Sequence, residues 1–205
     1  MINPETLELI NNARKFTYAE YRIMLEQLQA QGLTTGPNQS PEIFEYARLN
    51  NQRMSRLDKT VVLLPELLDA IRDLNRPLRW VVITEGWCGD AAQNVPALAK
   101  IAEASQGKIE LILVLRDENL ELMDRYLTNG GRSIPKMICF DAQTGEELGK
   151  WGPRPAEAQH LFLSLKSDPA VTKEEFLQAV HQWYSQDKTQ KVQQEMTALL
   201  LSWQV

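Results

Sequence analysis

The 205-residue chain contains 43% hydrophobic and 24% charged residues, a balance typical of folded globular proteins and unlike that of disordered chains. Its net charge of −5 provides no basic surface for nucleic acid, and no apolar run reaches the roughly 20 residues that a membrane-spanning helix needs. These figures argue against nucleic acid and membranes as partners, and favour one core of about 100 to 150 residues with additional segments.

The N-terminal segment and the cysteine content indicate where the chain works. Residues 1–6 show neither the basic region nor the continuous apolar stretch of a secretory signal, so we expect a cytoplasmic location. Two cysteines are too few for a disulfide scaffold, and the cytosol keeps such thiols reduced. Cys88 and Cys139 should therefore serve local chemistry or packing.

The first third of the chain is predicted to be helical. Apolar residues recur at helical spacings over residues 4–73, and Gly32 and Gly36 interrupt the pattern. Ser40 followed by Pro41 restarts it, with Ser40 as the N-cap and Pro41 in the first helical position. We therefore predict at least three helices in this part of the chain.

The middle of the chain shows short buried strands that alternate with helices. Apolar runs of strand length, rich in β-branched residues, occur at residues 78–84, 109–115 and 136–141. Helical spacing fills the two intervals, at residues 86–105 and 119–127. The predicted order of elements is therefore β-α-β-α-β.

A turn residue after the third strand predicts an antiparallel hairpin. Gly145 separates that strand from a short segment of strand character at residues 146–151. Pro153 and Pro155 follow and end this segment, because proline cannot donate to a strand ladder. We therefore expect the hairpin to close the sheet.

The C-terminal part returns to helical spacing. Residues 156–166 and 172–203 are predicted to be helical, and Thr172 with Glu175 has the spacing of a capping box. The last of these helices is expected to break near residues 185–187. The chain should thus carry helical additions at both ends of its sheet.

The junction between the first strand and the following helix is the most informative segment. It reads Glu-Gly-Trp-Cys-Gly-Asp-Ala from residue 85 onward, so that the helix begins at Cys88. Unpaired backbone N–H groups and the macrodipole at a helix N-terminus stabilise a thiolate, and they lower a cysteine pKa from about 8.5 into a reactive range. Cys88 is therefore the candidate nucleophile.

This turn resembles the Trp-Cys-Gly-Pro-Cys signature of the thioredoxin superfamily. Trp87, Cys88 and Gly89 match its first three positions, and Pro96 falls where the superfamily kinks the following helix. The turn, together with the helical additions, is more narrowly similar to a bacterial branch of thioredoxin-like proteins. The resemblance implies an α/β thioredoxin-like fold, in which helices flank a central mixed sheet.

The likeness continues through the rest of the predicted sheet. Residues 129–136 resemble the segment that contains the superfamily's cis-proline, which implies that Ile134 and Pro135 border the site where substrate backbones dock. Gly149 and Gly152 resemble its late glycines. The expected organisation has three parts: a helical N-terminal extension at residues 1–75, a thioredoxin-like domain at 76–167, and a C-terminal helical extension packed on that domain at 168–205.

Two departures from the superfamily pattern limit the chemistry. Ala91 replaces the second cysteine of the turn, so no disulfide can form within it. Val82 stands where the superfamily has a buried carboxylate that helps to move a proton, unless Glu85 or Asp90 substitutes for that group. Asp90 also takes the place of the turn proline, and its charge would raise the Cys88 pKa that the helix N-terminus lowers.

Cys139 is poorly placed to pair with Cys88. It lies four residues past Pro135 in an apolar strand, and four extended residues span about 13 Å. A disulfide needs about 5.5 Å between the two Cα atoms. We therefore interpret Cys139 as a core residue.

The preferred hypothesis is a monothiol thiol-disulfide oxidoreductase. Cys88 would attack a disulfide and be released by an external thiol, because the chain offers no resolving cysteine. A protein disulfide or a low-molecular-weight thiol is the expected partner. The candidate substrate-binding residues are Trp87, Gly89, Asp90, Ile134 and Pro135.

Two alternatives stay open. The first is a catalytically inactive thioredoxin-fold module that binds another protein, which the alanine at position 91 favours. The second is a peroxide sensor that works through a Cys88 sulfenic acid.

No metal or organic cofactor is expected, because His160 and His181 stand alone without zinc-binding spacing. The helical extensions also leave a homodimer open.

Overall fold

The computed structural model describes residues 4–204 and contains a four-stranded mixed sheet packed among helices. The strands are β1 (Leu78–Thr84), β2 (Ile109–Leu115), β3 (Lys136–Asp141) and β4 (Glu147–Trp151). The helices are α1 (Pro4–Asn12), α2 (Tyr18–Ala30), α3 (Pro41–Thr60), α4 (Pro65–Arg72), α5 (Gly89–Ala104), α6 (Leu120–Asp124), α7 (Ala156–Ser167), α8 (Lys173–Asp187) and α9 (Gln190–Ser202).

The sheet has the strand order β2-β1-β3-β4. β1 runs parallel to β2 and antiparallel to β3, and β3 pairs antiparallel with β4 through the predicted turn. Strands β1 and β3 are buried almost throughout, because they occupy the centre of the sheet, and this explains their continuous apolar sequences. The mixed sheet flanked by helices confirms the predicted α/β fold class.

Local signals in the sequence account for several element ends. Ser40 caps α3 through its hydroxyl group, with Pro41 in the first turn, as predicted. Thr172 and Glu175 form the predicted capping box at the start of α8. The predicted C-terminal helix breaks at Lys188 and Thr189, slightly later than expected, because both residues adopt a left-handed backbone conformation.

One predicted helix is shorter in the structure. The sequence pattern predicts a helix over residues 119–127, whereas α6 ends at Asp124 and Arg125 caps it. The chain then forms an isolated bridge between Thr128 and Gly131, in which each backbone N–H donates to the other residue's carbonyl group. These two hydrogen bonds replace the helical ones that a longer α6 would have made.

Both helical additions share one hydrophobic core with the sheet. Tyr21, Met54 and Leu67 from the N-terminal helices and Met196 from α9 are buried in the same cluster as the central strands. Burying an apolar side chain of this size contributes roughly 1.5 to 3 kcal/mol. The additions are therefore part of what holds the sheet together.

A buried glutamine fixes α9 against the N-terminal helices. The Gln193 side chain accepts a hydrogen bond from the Leu64 backbone N–H at 2.8 Å and donates to the Val62 carbonyl group at 3.2 Å. The first of these bonds satisfies a backbone donor at the start of α4, whose N-cap residue has no side-chain acceptor of its own.

No helix within residues 4–204 combines the length and apolar character needed to cross a membrane.

Candidate active site

Cys88 is the N-cap residue of α5 and lies beside the segment that precedes β3. The Ala91 N–H donates to the Cys88 sulfur at 3.5 Å, and the thiol donates to the Ile134 carbonyl oxygen at 3.3 Å. The Ile134–Pro135 peptide bond is cis, and both residues are buried. The strand-to-helix turn and the proline segment, predicted to meet at one site, thus lie in contact.

The Cys88 thiol lies in a buried residue, which is only 8% exposed. Burial, followed by the negative charge of Asp90, raises the pKa of the thiol to about 12, against the opposing effects of the Ala91 N–H and Arg154. The sequence indicated the backbone donors and Asp90 as opposing influences, whereas burial, which it did not indicate, is the largest one.

Asp90 is held by groups from the C-terminal half of the chain. Its carboxylate accepts hydrogen bonds from Arg154 Nε at 2.8 Å and from the Tyr184 hydroxyl group at 2.9 Å. Burial raises the pKa of Asp90, while Arg154 and Tyr184 act in the opposite direction. The carboxylate therefore connects the turn to α8 and to the segment after β4.

A cleft of about 570 Å³ opens next to the cysteine. Its floor contains the Trp87–Asp90 turn and Ile134, and its two walls come from α3 and α8. Asn50 of α3 donates to the Gly86 carbonyl group at 3.1 Å, which fixes this wall against the floor. Both helical additions thus build the site, a role that the sequence did not indicate.

Trp87 and Gly89 both lie against side chains of the protein itself. Arg116 stacks over the Trp87 ring at 4.6 Å from its centre. The His181 ring lies so close to Gly89 that a Cβ atom there would be 2.9 Å from its Cε1 atom. Glycine at position 89 therefore leaves room for the imidazole of His181.

His181 is the main residue that sequence reasoning missed. It is partly buried in the cleft wall, and its Nδ1 atom is buried without a hydrogen-bond partner in the described part of the chain. Burial lowers the pKa of His181 to about 4, with a further contribution from the Arg53 charge. A lone histidine on a helix carries no signal of this placement. His160, by contrast, is exposed on α7.

Cys139 lies away from the cleft. It is fully buried in β3, opposite Trp80 of β1, and both cysteines are free. The interpretation of Cys139 as a core residue is therefore confirmed. Within residues 4–204, no three side chains of His, Cys, Asp or Glu come together as a metal-binding group.

Glu85 is a second buried acid at the end of β1. Its side chain is 1% exposed and accepts a hydrogen bond from the Asp117 backbone N–H at 2.8 Å. The other carboxyl oxygen has no partner among the described residues. Burial raises the pKa of Glu85 to about 7, while hydrogen bonds from Thr35 and Asp117 oppose the shift.

We predict that Glu85 makes the protein less stable as the pH rises. The unfolded chain loses this proton near pH 4.5 and the folded chain only near pH 7, so deprotonation in that window favours unfolding. Wild type should lose about 3 kcal/mol of unfolding free energy as the pH rises, and Glu85→Gln should remove this loss. Urea unfolding at pH 5 and pH 8 would measure it. Glu8→Gln, at an exposed position, should keep the wild-type dependence, and an identical profile for Glu85→Gln would contradict the prediction.

A mixed sheet whose first strand leads into a helix capped by a cysteine, with a proline segment against that cysteine, defines a thioredoxin-like protein. A family model described as Thioredoxin matches residues 36–175, and the chain belongs to the thioredoxin family. Over 54 residues the chain is 37% identical to Thioredoxin 1 of Nostoc sp. (strain PCC 7120), a match that covers 26% of this chain and 48% of that protein. The chain thus spans about half the length of this curated relative.

Two solved structures resemble the whole chain. The crystal structure of an HIV epitope-scaffold has a TM-score of 0.56 and 16% identity, and the match covers 95% of this chain and 96% of the scaffold. A protein of unknown function from Pseudomonas aeruginosa has a TM-score of 0.54 and 18% identity, with 90% and 97% covered. At these identities the likeness shows the fold alone.

Proposed function

We propose that this protein is a monothiol thiol-disulfide oxidoreductase of the bacterial cytoplasm, with Cys88 as its nucleophile. The observation that carries the proposal is the position of the Cys88 sulfur in the floor of a cleft, between the Ala91 N–H and the Ile134 carbonyl group. The N–H stabilises negative charge on the sulfur, and the carbonyl group orients the thiol. A disulfide that reaches the floor of the cleft would lie against this sulfur.

The reaction takes place in two exchanges. Cys88 attacks one sulfur of a bound disulfide, the S–S bond breaks, and the proton of the Cys88 thiol ends on the departing thiol. An external thiol then attacks the mixed disulfide, restores the Cys88 thiol and leaves with the bound group as a new disulfide. The second thiol must be external, because Ala91 has no sulfur and Cys139 is buried in β3.

The raised pKa of Cys88 limits the rate of the first exchange. Only the thiolate attacks, and a thiol with a pKa of about 12 is almost entirely protonated at neutral pH. A thiolate of high pKa is intrinsically more nucleophilic, which offsets part of this deficit. We therefore expect slow turnover in the wild-type protein.

The same observations favour one second candidate, a thioredoxin-fold module that binds a partner without chemistry. The 8% exposure of Cys88 and its raised pKa both suit a thiol that is not used. This candidate requires the cleft and not the sulfur. The two functions therefore differ in the effect of removing Cys88.

The test compares Cys88→Ser with a matched Cys139→Ser variant. Exchange between bis(2-hydroxyethyl) disulfide and cysteine is followed by chromatography at neutral pH, with the uncatalysed reaction subtracted. We expect the wild type and Cys139→Ser to accelerate it and Cys88→Ser to return it to the background, because the nucleophile is lost. A wild-type rate at the background would reject the enzyme and leave the binding module, whereas an active Cys88→Ser variant would reject Cys88 as the nucleophile.

A further inference from the structure

Arg53 is a cation in the wall of the cleft. It lies on α3, is partly buried, and donates from Nη1 to the Asn50 side-chain oxygen at 2.7 Å. Within residues 4–204, no Asp or Glu side chain comes within salt-bridge distance of it. Burial of its charge lowers the pKa of Arg53. A bound anion would offset the electrostatic cost of keeping this charge out of water.

The other cations of the cleft are already neutralised. Each forms an ion pair with a carboxylate in the structure. The pairs are Arg116–Asp117, Arg132–Asp124, Arg154–Asp90 and Lys173–Glu42. The acidic side chain left in the lining, Glu174, is exposed to water, which screens its charge.

His181 provides a second unsatisfied group near Arg53. The Arg53 charge acts on the imidazole, and the buried Nδ1 atom has no partner in the described structure. The same ring packs on Gly89, the residue after Cys88. A guanidinium group without a carboxylate partner among residues 4–204 therefore lies in the α3 wall of the cleft, and an imidazole with a buried, unpartnered nitrogen lies in the α8 wall.

The size and lining of the cleft suit a small molecule. Its volume of about 570 Å³ lies in the range of ordinary ligand sites, roughly 300 to 1,000 Å³. Leu49 of α3 and Phe176 and Leu177 of α8 provide apolar contact surface in the walls. A short aliphatic chain fits against these residues, while its charged end meets Arg53.

We propose that Arg53 and His181 form an anion-binding subsite beside Cys88, and that the preferred substrate is a small disulfide carrying a carboxylate. This inference rests on the proposed function, and it names the substrate class of that site. Arg53 supplies the charge and His181 a hydrogen bond to the carboxylate.

The binding experiment uses Cys88→Ser, so that no chemistry occurs. NMR titration compares three disulfides of similar size: 3,3′-dithiodipropionate, bis(2-hydroxyethyl) disulfide and cystamine, which are anionic, neutral and cationic. We expect the anionic compound to bind about fivefold more tightly than the neutral one, as one partly screened charge pair allows, and cystamine to bind least. Equal binding of all three compounds, or binding of none, would overturn the subsite.

Substitutions in the Cys88→Ser background identify the groups responsible. Arg53→Gln should abolish the preference for the anion, while Arg53→Lys should keep most of it. Lys59→Gln is the matched control, because Lys59 lies on the same helix, is exposed and does not line the cleft, and it should keep the preference. His181→Phe should weaken binding of the anionic disulfide about threefold, because one hydrogen bond is lost. Unchanged affinity would show that His181 is not part of the subsite.

Turnover in the Cys88-containing protein separates this inference from the proposed function. An anion preference in binding without any catalysed exchange would keep the subsite and reject the enzyme. Catalysed exchange with no charge preference, unchanged in Arg53→Gln, would keep the enzyme and reject the subsite. Folding of each variant is checked by its amide NMR spectrum, and the Arg53→Lys variant keeps the test valid if Arg53→Gln unfolds.

Discussion

Asp90→Asn should make Cys88 react with iodoacetamide about threefold faster at neutral pH. Removal of the adjacent charge lowers the thiol pKa by roughly one unit, and the lower nucleophilicity of the resulting thiolate offsets part of the roughly tenfold gain in its population. Asp90 is the second-largest cause of the raised Cys88 pKa after burial, and the nearby Arg154 charge already favours the thiolate. Without Asp90, that guanidinium charge is no longer neutralised locally. The variant should therefore gain thiolate at every pH below the wild-type pKa.

The measurement is the pH dependence of Cys88 alkylation, followed by mass spectrometry. Asp124→Asn is the matched control, because it removes a carboxylate from another ion pair at the cleft, with Arg132, and should leave the rate unchanged. A slower or unchanged Asp90→Asn variant would contradict the electrostatic account of this thiol.

The same substitution should lower the stability of the protein. Asp90 and Arg154 are 14% and 10% exposed in their side chains, so the pair lies largely out of water. Removing one member of a buried pair leaves the other charge uncompensated, typically at a cost of about 3 to 5 kcal/mol, and the retained amide oxygen offsets part of it. Higher reactivity with lower stability is the combined signature that we expect.

Gly152→Ala should destabilise the protein by about 3 kcal/mol or more. Gly152 has a φ of 104°, a conformation that residues with a side chain rarely adopt. An added Cβ atom would also overlap the carbonyl oxygen of Pro135, which is backbone and cannot move aside alone. The substitution therefore strains the segment that lies against Cys88.

Urea unfolding would measure the loss, and Gly107→Ala separates its two causes. Gly107 has a similar φ of 93°, but an added Cβ atom there would meet nothing within 4 Å. Gly107→Ala should therefore cost only the backbone strain, about 1 kcal/mol. Equal losses in the two variants would show that the overlap with Pro135 is unimportant.

The first three strands were predictable because each is a short and largely apolar run. The observed bounds of β1, β2 and β3 equal the predicted ones. The caps at Ser40 and Thr172 were predictable for a different reason, since they depend on residues only three positions apart. Signals of this kind are local, and they account for most of the fold.

The cleft was not predictable from local signals. Arg154 reaches Asp90 across 64 positions of sequence, and Tyr184 reaches it across 94. The sequence identified Cys88 as the start of a helix, but its burial depends on how α3 and α8 pack over the turn. Because burial dominates the Cys88 pKa, the reactivity of the thiol is a property of the tertiary structure.

The α8 wall and the floor of the cleft belong to different hydrophobic clusters. Val180 and Tyr184 of α8 form a small cluster with Ala158 of α7, separate from the main core that contains Cys88. Asp90 joins the two clusters, since it extends from the turn to Tyr184. A single carboxylate thus both restrains the nucleophile and anchors the helix beside it, so selection for a faster thiol at this position would loosen the entrance to its own site.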